Sequence, residues 1–186
     1  PHPGATRWCV TVDTEEEWDW AAGYPTAPGR VTNVRHLPAF QELCAARGAA
    51  VVLFANHAVL ADPDGAAVVR ELAARPNVEV GLHVHPWNTP PLQPGDRVPA
   101  RDSFLHNLPW PLARAKLETL LEAFDRAGLR PTSFRGGRYS TSPAVQDFLR
   151  DRGVRADASV VPYTTWADDG APDYRGRGPD PVRRPP

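Results

Sequence analysis

Apolar, β-favouring runs alternate with helical patterns along this chain, and no other feature constrains its fold as strongly. Strand-like runs cover residues 8–12, 49–55, 78–84, 132–135 and 154–161. Helical patterns cover residues 34–47, 65–74 and 143–152, and a further one begins at Pro111 and stops at Gly128. Such alternation predicts a parallel sheet joined by right-handed crossovers. The sequence therefore predicts an α/β fold, with fewer strands than a closed barrel needs.

Length and composition fit one globular domain, residues 1–186, in which residues 166–186 form an irregular tail rich in Pro, Gly, Arg and Asp. The net charge of -1 gives no indication of nucleic-acid binding, and no apolar run is long enough to span a bilayer. Because the chain has no Met and begins at Pro1, we expect sequence to be missing at both ends. The sequence does not decide between the cytoplasm and the cell envelope, and it does not indicate an oligomeric state.

Polar and charged residues interrupt the apolar pattern at or near the ends of four strand-like runs. They are Asp13, Glu15, His83, His85, Arg135, Asp157 and Ser159. The carboxyl ends of parallel strands meet at one edge of a sheet, where α/β proteins place their sites. We therefore expect these side chains to converge.

His83 and His85 are two residues apart at the end of the third run. Alternate side chains of a strand point the same way, so both imidazoles face one side. Imidazole is a ligand for Zn, Co, Ni or Fe. The alternative is a pair of histidines that only hydrogen-bond, and a third ligand decides between the two readings.

The acidic run after the first strand offers that third ligand. Asp13 directly follows the apolar residues, and Asp13 and Glu15 share a face if the strand continues. One carboxylate can bind a metal while the other acts as a base. A solvated acidic loop is the alternative, and we expect Glu16 and Glu17 at the surface.

Arg135 precedes Gly136 and Gly137, which allow the backbone to turn sharply and approach a ligand. Its guanidinium can orient a carboxylate by paired hydrogen bonds. A purely structural salt bridge is the alternative. Tyr139, two residues further on, is a candidate for lining the site.

Three more residues are candidates for contact with substrate. Trp87 follows the second histidine and offers a flat apolar face to a sugar ring. His106, in the Pro-rich loop of residues 86–109, is a candidate proton donor, with an ordinary surface histidine as the alternative. Asp157 lies in the fifth run.

Four segments together resemble the polysaccharide-deacetylase family, also called the NodB-homology family or carbohydrate esterase family 4. They are TVDTE at residues 11–15, EVGLHVHPW at 79–87, FRGGRY at 134–139 and DASV at 157–160. They occur in the family's order over residues 7–166. Agreement of several motifs in order is more specific than any single motif.

The resemblance implies a deformed (β/α) barrel, incomplete at its C-terminal end, that removes acetyl groups from an N- or O-acetylated glycan or cleaves a related non-peptide C–N bond. It implies Asp13 as general base, oriented by Arg135. It implies Glu15, His83 and His85 as ligands of a divalent metal, Zn foremost, with Co or Ni as alternatives. A carbohydrate is the implied partner.

The sequence departs from the family pattern in three ways. Thr14 separates the two acids, so Asp13 and Glu15 are open to an exchange of roles. The histidines are closer together than usual, as in a divergent HxHPW branch. The family's last motif, a Leu-x-x-His that carries the general acid, does not follow the fourth segment in this sequence. A non-catalytic glycan-binding protein and a metal-dependent amidase for small molecules are therefore the alternatives.

Overall fold

The computed structural model describes residues 8–166 and 170–183. The strands within these residues are β1 (Cys9–Thr14), β2 (Tyr24–Pro25), β3 (Ala50–Ala55), β4 (Val78–Val84), β5 (Arg97–Val98), β6 (Ser133–Gly136) and β7 (Ala156–Asp157). The α-helices are α1 (Leu37–Ala45), α2 (His57–Ala61), α3 (Pro63–Ala73), α4 (Trp110–Arg126) and α5 (Pro143–Arg150). Short 3-10 turns cover Trp20–Ala22, Thr32–His36, Ala100–Ser103, Leu105–Asn107 and Gly137–Tyr139.

Five of the described strands form a parallel sheet in the order β1-β3-β4-β6-β7, which is also their order along the chain. Each connection between neighbouring strands contains at least one α-helix. The remaining strands, β2 and β5, form a separate antiparallel pair. The α/β fold with a parallel sheet, predicted from the alternation of patterns, is confirmed.

Strand β7 and helix α2 are among the elements that differ from the sequence-based expectation. Strand β7 is only two residues long, although the apolar run covers 154–161, and the backbone N–H of Ser159 donates to the Asp157 carboxylate 2.9 Å away. Helix α2 has five residues, too few to show helical periodicity in the sequence. Asn56 caps it by accepting a hydrogen bond from the N–H of Val59 at 3.1 Å.

One face of the sheet packs against the helices and forms the apolar core. Because side chains alternate along a strand, every second residue contributes to this face. Buried members from sheet and helices include Val51, Leu53, Leu82, Val84, Phe134, Val69, Leu72, Leu117, Leu120 and Phe124. Burial of these side chains fixes which residues point to the opposite face.

The opposite face carries the candidate functional side chains. Asp13 is in register with Phe54, and Phe54 with Gly81, so these positions lie on one face. His83, two residues after Gly81, is in register with Arg135 on the same face. A Cβ on Gly81 would lie 2.7 Å from the Phe54 ring, so the glycine makes room for that ring.

Part of the tail folds back onto the domain. The Tyr174 hydroxyl donates to the carbonyl of Tyr139 at 2.6 Å, and Thr165 pairs with Asp173 in an isolated bridge. Residues 167–169 and 184–186 of the expected irregular tail lie outside the described residues. Among the residues that are described, no helix combines the length and apolar character needed to cross a membrane.

Candidate metal centre

Glu15, His83 and His85 form a cluster at the carboxyl edge of the sheet. A carboxylate oxygen of Glu15, Oε2, lies 3.2 Å from Nε2 of His83 and 2.8 Å from Nε2 of His85. The three ligand atoms all lie within 4.8 Å of one another, and both histidines are buried. The group has the composition and spacing to bind a metal ion.

The opposite ring nitrogen of His83 is occupied by the protein backbone. Nδ1 of His83 lies 2.9 Å from the carbonyl oxygen of Arg135. Because a carbonyl oxygen only accepts, Nδ1 must carry the proton of this hydrogen bond. In the neutral ring, the lone pair is then on Nε2, the atom that faces Glu15.

Glu16 holds His85 from the other side of its ring. Its Oε1 lies 3.1 Å from Nδ1 of His85, and its side chain accepts short hydrogen bonds from the amides of Asn56 and Asn88. Only 3% of Glu16 is exposed, so the prediction that it lies at the surface is wrong. The two-residue alternation of burial in β1 continues past its end, since Thr14 and Glu16 are buried whereas Asp13 and Glu15 are only partly buried. That continuation is the sequence signal that would have identified Glu16.

The charges of the cluster are strongly coupled. Burial opposes the charged form of His85, but hydrogen bonds and charges from Glu15 and Glu16 raise its pKa to about 9. Burial likewise opposes ionisation of both glutamates, yet the neighbouring histidines hold the pKa of each well below its ordinary value. Both carboxylates are therefore ionised near neutral pH.

Asp13 and Arg135 form an ion pair beside this cluster. One guanidinium nitrogen of Arg135 donates to Asp13 Oδ1 at 2.7 Å, and another donates to the hydroxyl of Thr11 at 2.9 Å. The guanidinium also lies over the Phe54 ring, 4.5 Å from its centre. The pairing expected from the sequence is thus present, and Arg135 touches both Asp13 and, through its carbonyl, His83.

The turn after β6 packs directly against His85. A Cβ on Gly137 would lie 2.4 Å from the carbonyl oxygen of Val84 and 3.0 Å from the His85 ring. The next two residues, Arg138 and Tyr139, both have left-handed backbone angles, with φ of 53° and 57°. Strained angles of this kind concentrate at functional sites.

Aromatic side chains surround the cluster in two layers. Trp87 stacks on His85 with ring centres 4.1 Å apart, but it is 1% exposed. The prediction that Trp87 forms a wall for substrate is therefore wrong, because the ring lies beneath Trp18, 4.8 Å away. Trp20, which contacts Trp18, is 65% exposed and forms the outer layer. Tyr139 stacks on the exposed Trp166 with ring centres 5.9 Å apart.

His106 and Asp157, both candidates from the sequence, are engaged in hydrogen bonds with neighbouring segments. Nδ1 of His106 lies 2.8 Å from the Ser140 hydroxyl, the ring also bonds the backbone of Gly170, and burial lowers its pKa. Asp157 accepts hydrogen bonds from Thr141, Gln146 and the N–H of Ser159 at 2.7–2.9 Å.

A buried lysine supports the loop that follows the histidines. Lys116 is the only lysine of the sequence and is fully buried. Its ammonium group donates to the carbonyls of Thr89 and Pro91, at 2.7 and 2.6 Å. Burial lowers its pKa to about 8. The sequence gives no signal for this role, since Lys116 falls on a helix where an exposed side chain is the ordinary expectation.

No family model, curated protein or solved structure matches this chain. The geometry of the centre and its surroundings is therefore the basis for a functional proposal.

Proposed function

We propose that the protein is a metal-dependent hydrolase that removes acetyl groups from an N- or O-acetylated glycan. The observation that carries the proposal is the convergence of Glu15, His83 and His85 beside the Asp13–Arg135 pair. A metal ligand set next to an oriented carboxylate is what metal-assisted hydrolysis requires.

The three residues fit a catalytic zinc ion. Nδ1 of each histidine meets an acceptor, Arg135 O or Glu16, which directs Nε2 toward the Glu15 carboxylate. Two imidazoles and one carboxylate form a ligand set used by catalytic zinc, which keeps a further position open for water or substrate. Cobalt and nickel accept the same donors and are the alternatives.

When bound, such a metal lowers the pKa of water and polarises the acyl oxygen of the substrate. Asp13 acts as the general base and takes a proton from the attacking water. Its ion pair with Arg135, 2.7 Å long, fixes the direction of the carboxylate. Thr11 and the Phe54 ring hold the guanidinium in place from two further sides.

Two aromatic surfaces support a glycan as the substrate. Trp20 is largely exposed on one side of the centre, and Trp166, exposed and stacked on Tyr139, extends from the Arg135 turn. Flat aromatic faces of this kind suit sugar rings. Strand order that follows chain order is also the order within a (β/α) barrel. We therefore propose that the sheet is an arc of the deformed barrel implied by the family resemblance.

The proposal is tested by metal analysis and an acetate-release assay on the purified protein. We expect about one Zn, Co or Ni per chain and acetate release from acetylated sugars. His83→Ala should lose both the metal and the activity, whereas Asp13→Asn should keep the metal and lose the activity. A folded wild-type protein that takes up none of these metals would overturn the proposal.

A comparison of substrates distinguishes a glycan deacetylase from a small-molecule amidase and from a glycan-binding protein. Simple acetamides and acetylated chito-oligosaccharides are assayed at equal concentrations. Hydrolysis of simple amides alone would indicate a small-molecule amidase. Glycan binding without acetate release from the metal-loaded protein would indicate a binding protein. Either outcome would contradict deacetylation of a glycan.

A further inference from the structure

We propose that Glu16 is a positioning residue of the metal centre, holding the His85 ring so that its Nε2 is directed at Glu15 and His83, where a metal would bind. This inference rests on the proposed function, because it assigns a role within the same centre. Glu15 and Glu16 are consecutive in the sequence, and they contact opposite nitrogens of one imidazole. Neither the sequence motif nor the three-ligand cluster itself assigns Glu16 a role.

Of the two polar groups near Nδ1 of His85, the Glu16 carboxylate can accept a proton from the ring, whereas the Asn56 amide nitrogen donates to Glu16. Nδ1 lies 3.1 Å from Oε1 of Glu16 and 3.2 Å from the amide nitrogen of Asn56. A lone pair on either ring nitrogen would face a carboxylate oxygen, since Nε2 lies 2.8 Å from Oε2 of Glu15, but only on the Nε2 side do the candidate metal ligands meet. A proton on Nδ1 makes a charge-assisted hydrogen bond to Glu16. A metal that binds at Nε2 would then use the lone pair of that nitrogen, while Nδ1 keeps its proton.

The fold fixes the Glu16 carboxylate independently of any metal. The carbonyl oxygen of the Asn56 side chain accepts from the N–H of Val59, so the amide nitrogen of Asn56 must point at Glu16. Asn88, from the loop after β4, donates to Oε1 of the same carboxylate. The anchored amide of Asn56 and the amide of Asn88 thus hold Glu16 against His85, and the carboxylate can orient the ring before a metal arrives.

The two histidines differ in the group that binds their Nδ1 atom. Nδ1 of His83 is bound by a backbone carbonyl, that of Arg135, whereas Nδ1 of His85 is bound by a carboxylate. A carboxylate partner raises the basicity of the ligand and fixes its orientation, and loss of such a partner costs about 10–100-fold in metal affinity. His85 is therefore the ligand whose strength depends on a replaceable side chain.

The test compares Glu16→Gln with Glu17→Gln in the full chain, using Co²⁺ and Zn²⁺ alone as probes. Gln keeps the size of Glu16, but its amide brings donors toward the donors of Asn56, Asn88 and His85. We expect Glu16→Gln to weaken metal binding about 10–100-fold. Glu17, whose carboxylate instead binds Thr32 and Asn33, is the matched control, and its variant should bind metal as the wild type does.

Nitrogen NMR of the His85 ring in the zinc-loaded wild type gives a readout that a purely structural role would not move. A proton on Nδ1 and metal on Nε2 are expected, and the reverse arrangement would overturn the proposal even if Glu16→Gln failed to fold. Equal metal affinity of Glu16→Gln and wild type would overturn the positioning role and leave the metal centre standing. A wild type without metal affinity would instead remove the proposed function, and this role with it.

Discussion

Arg135 and His83 are paired in register on neighbouring strands, and the carbonyl oxygen of Arg135 accepts the Nδ1 proton of His83 across 2.9 Å. The side chain of the same arginine binds Asp13 at 2.7 Å. One residue therefore contacts a candidate metal ligand through its backbone and the candidate base through its guanidinium. Substitution of the side chain separates these two roles, since the carbonyl remains in every variant.

Replacement of Arg135 by Lys should therefore lower acetate release without weakening metal binding. Lysine keeps the charge but cannot reach Asp13 and Thr11 with two nitrogens at once. Misorientation of a catalytic group costs on the order of 10²-fold in rate. The measurement is kcat/KM for acetate release beside a Zn²⁺ affinity titration. Arg130→Lys, at an exposed ion pair with Asp125, is the control. Full activity in Arg135→Lys would show that Asp13 needs no such orientation.

Gly137, in the turn after β6, packs against the His85 ring and allows this contact to be tested. In Gly137→Ala, the new Cβ would lie 2.4 Å from the Val84 carbonyl and 3.0 Å from the His85 ring, so the turn must move away from the metal ligand. We expect a loss of about 1–3 kcal/mol in the free energy of unfolding together with weaker metal binding. Gly176→Ala, where a Cβ would meet no atom within 4 Å, is the control. Denaturant unfolding and metal titration of both variants measure these two quantities. The same free energy of unfolding and the same metal affinity in Gly137→Ala and Gly176→Ala would contradict the packing argument.

Local patterns predict much of this architecture. The apolar runs predict the parallel strands, and the spacing of His83 and His85 predicts that both imidazoles face one side, as the structure has them. The pairing of Asp13 with Arg135 also follows from residue type and strand position. These features depend on the period of a strand and on the meeting of strand ends, both of which can be read from the sequence.

The remaining parts of the site depend on contacts between distant segments. Glu16 lies in a run of three glutamates, where the alternation of β1 is a weak local signal, and the contacts that bury it come from Asn56 and Asn88, 40 and 72 residues away. Trp87 and Trp20 are the same type of residue, and no local pattern separates them. Trp87 is buried against Trp18, whereas Trp20 is exposed. Burial of this kind is set by tertiary packing rather than by local composition.

The two tryptophans should respond differently to truncation. Trp87→Ala removes a buried ring that stacks on His85, and we expect it to lower the free energy of unfolding by about 3–5 kcal/mol. Trp20→Ala removes an exposed ring and should change stability by less than about 0.5 kcal/mol, while weakening the binding of an acetylated oligosaccharide. Denaturant unfolding and calorimetric titration give the two quantities. Unchanged glycan binding in Trp20→Ala would remove this ring from the proposed substrate surface.

Lys116 gives the protein a stability that depends on pH. Burial lowers its pKa in the folded protein from 10.5 to about 8, so between these values the unfolded chain binds more protons than the folded one. Stability contributed by this group therefore rises with pH across that window, by at most about 1.4 kcal/mol per pH unit. Lys116→Met should lack this rise, although it leaves the carbonyls of Thr89 and Pro91 without their donor.

Because Lys116 is the only lysine, a lysine-labelled sample gives one side-chain signal whose titration reports its pKa directly. A midpoint near 8 is expected in the folded protein. The unfolding free energy of the wild type relative to that of Lys116→Met, measured from pH 7 to 11, should rise above pH 8, because titrations of other groups are common to both proteins. A titration midpoint near 10.5, with no such rise, would show that the two carbonyls stabilise the ammonium group enough to offset its burial.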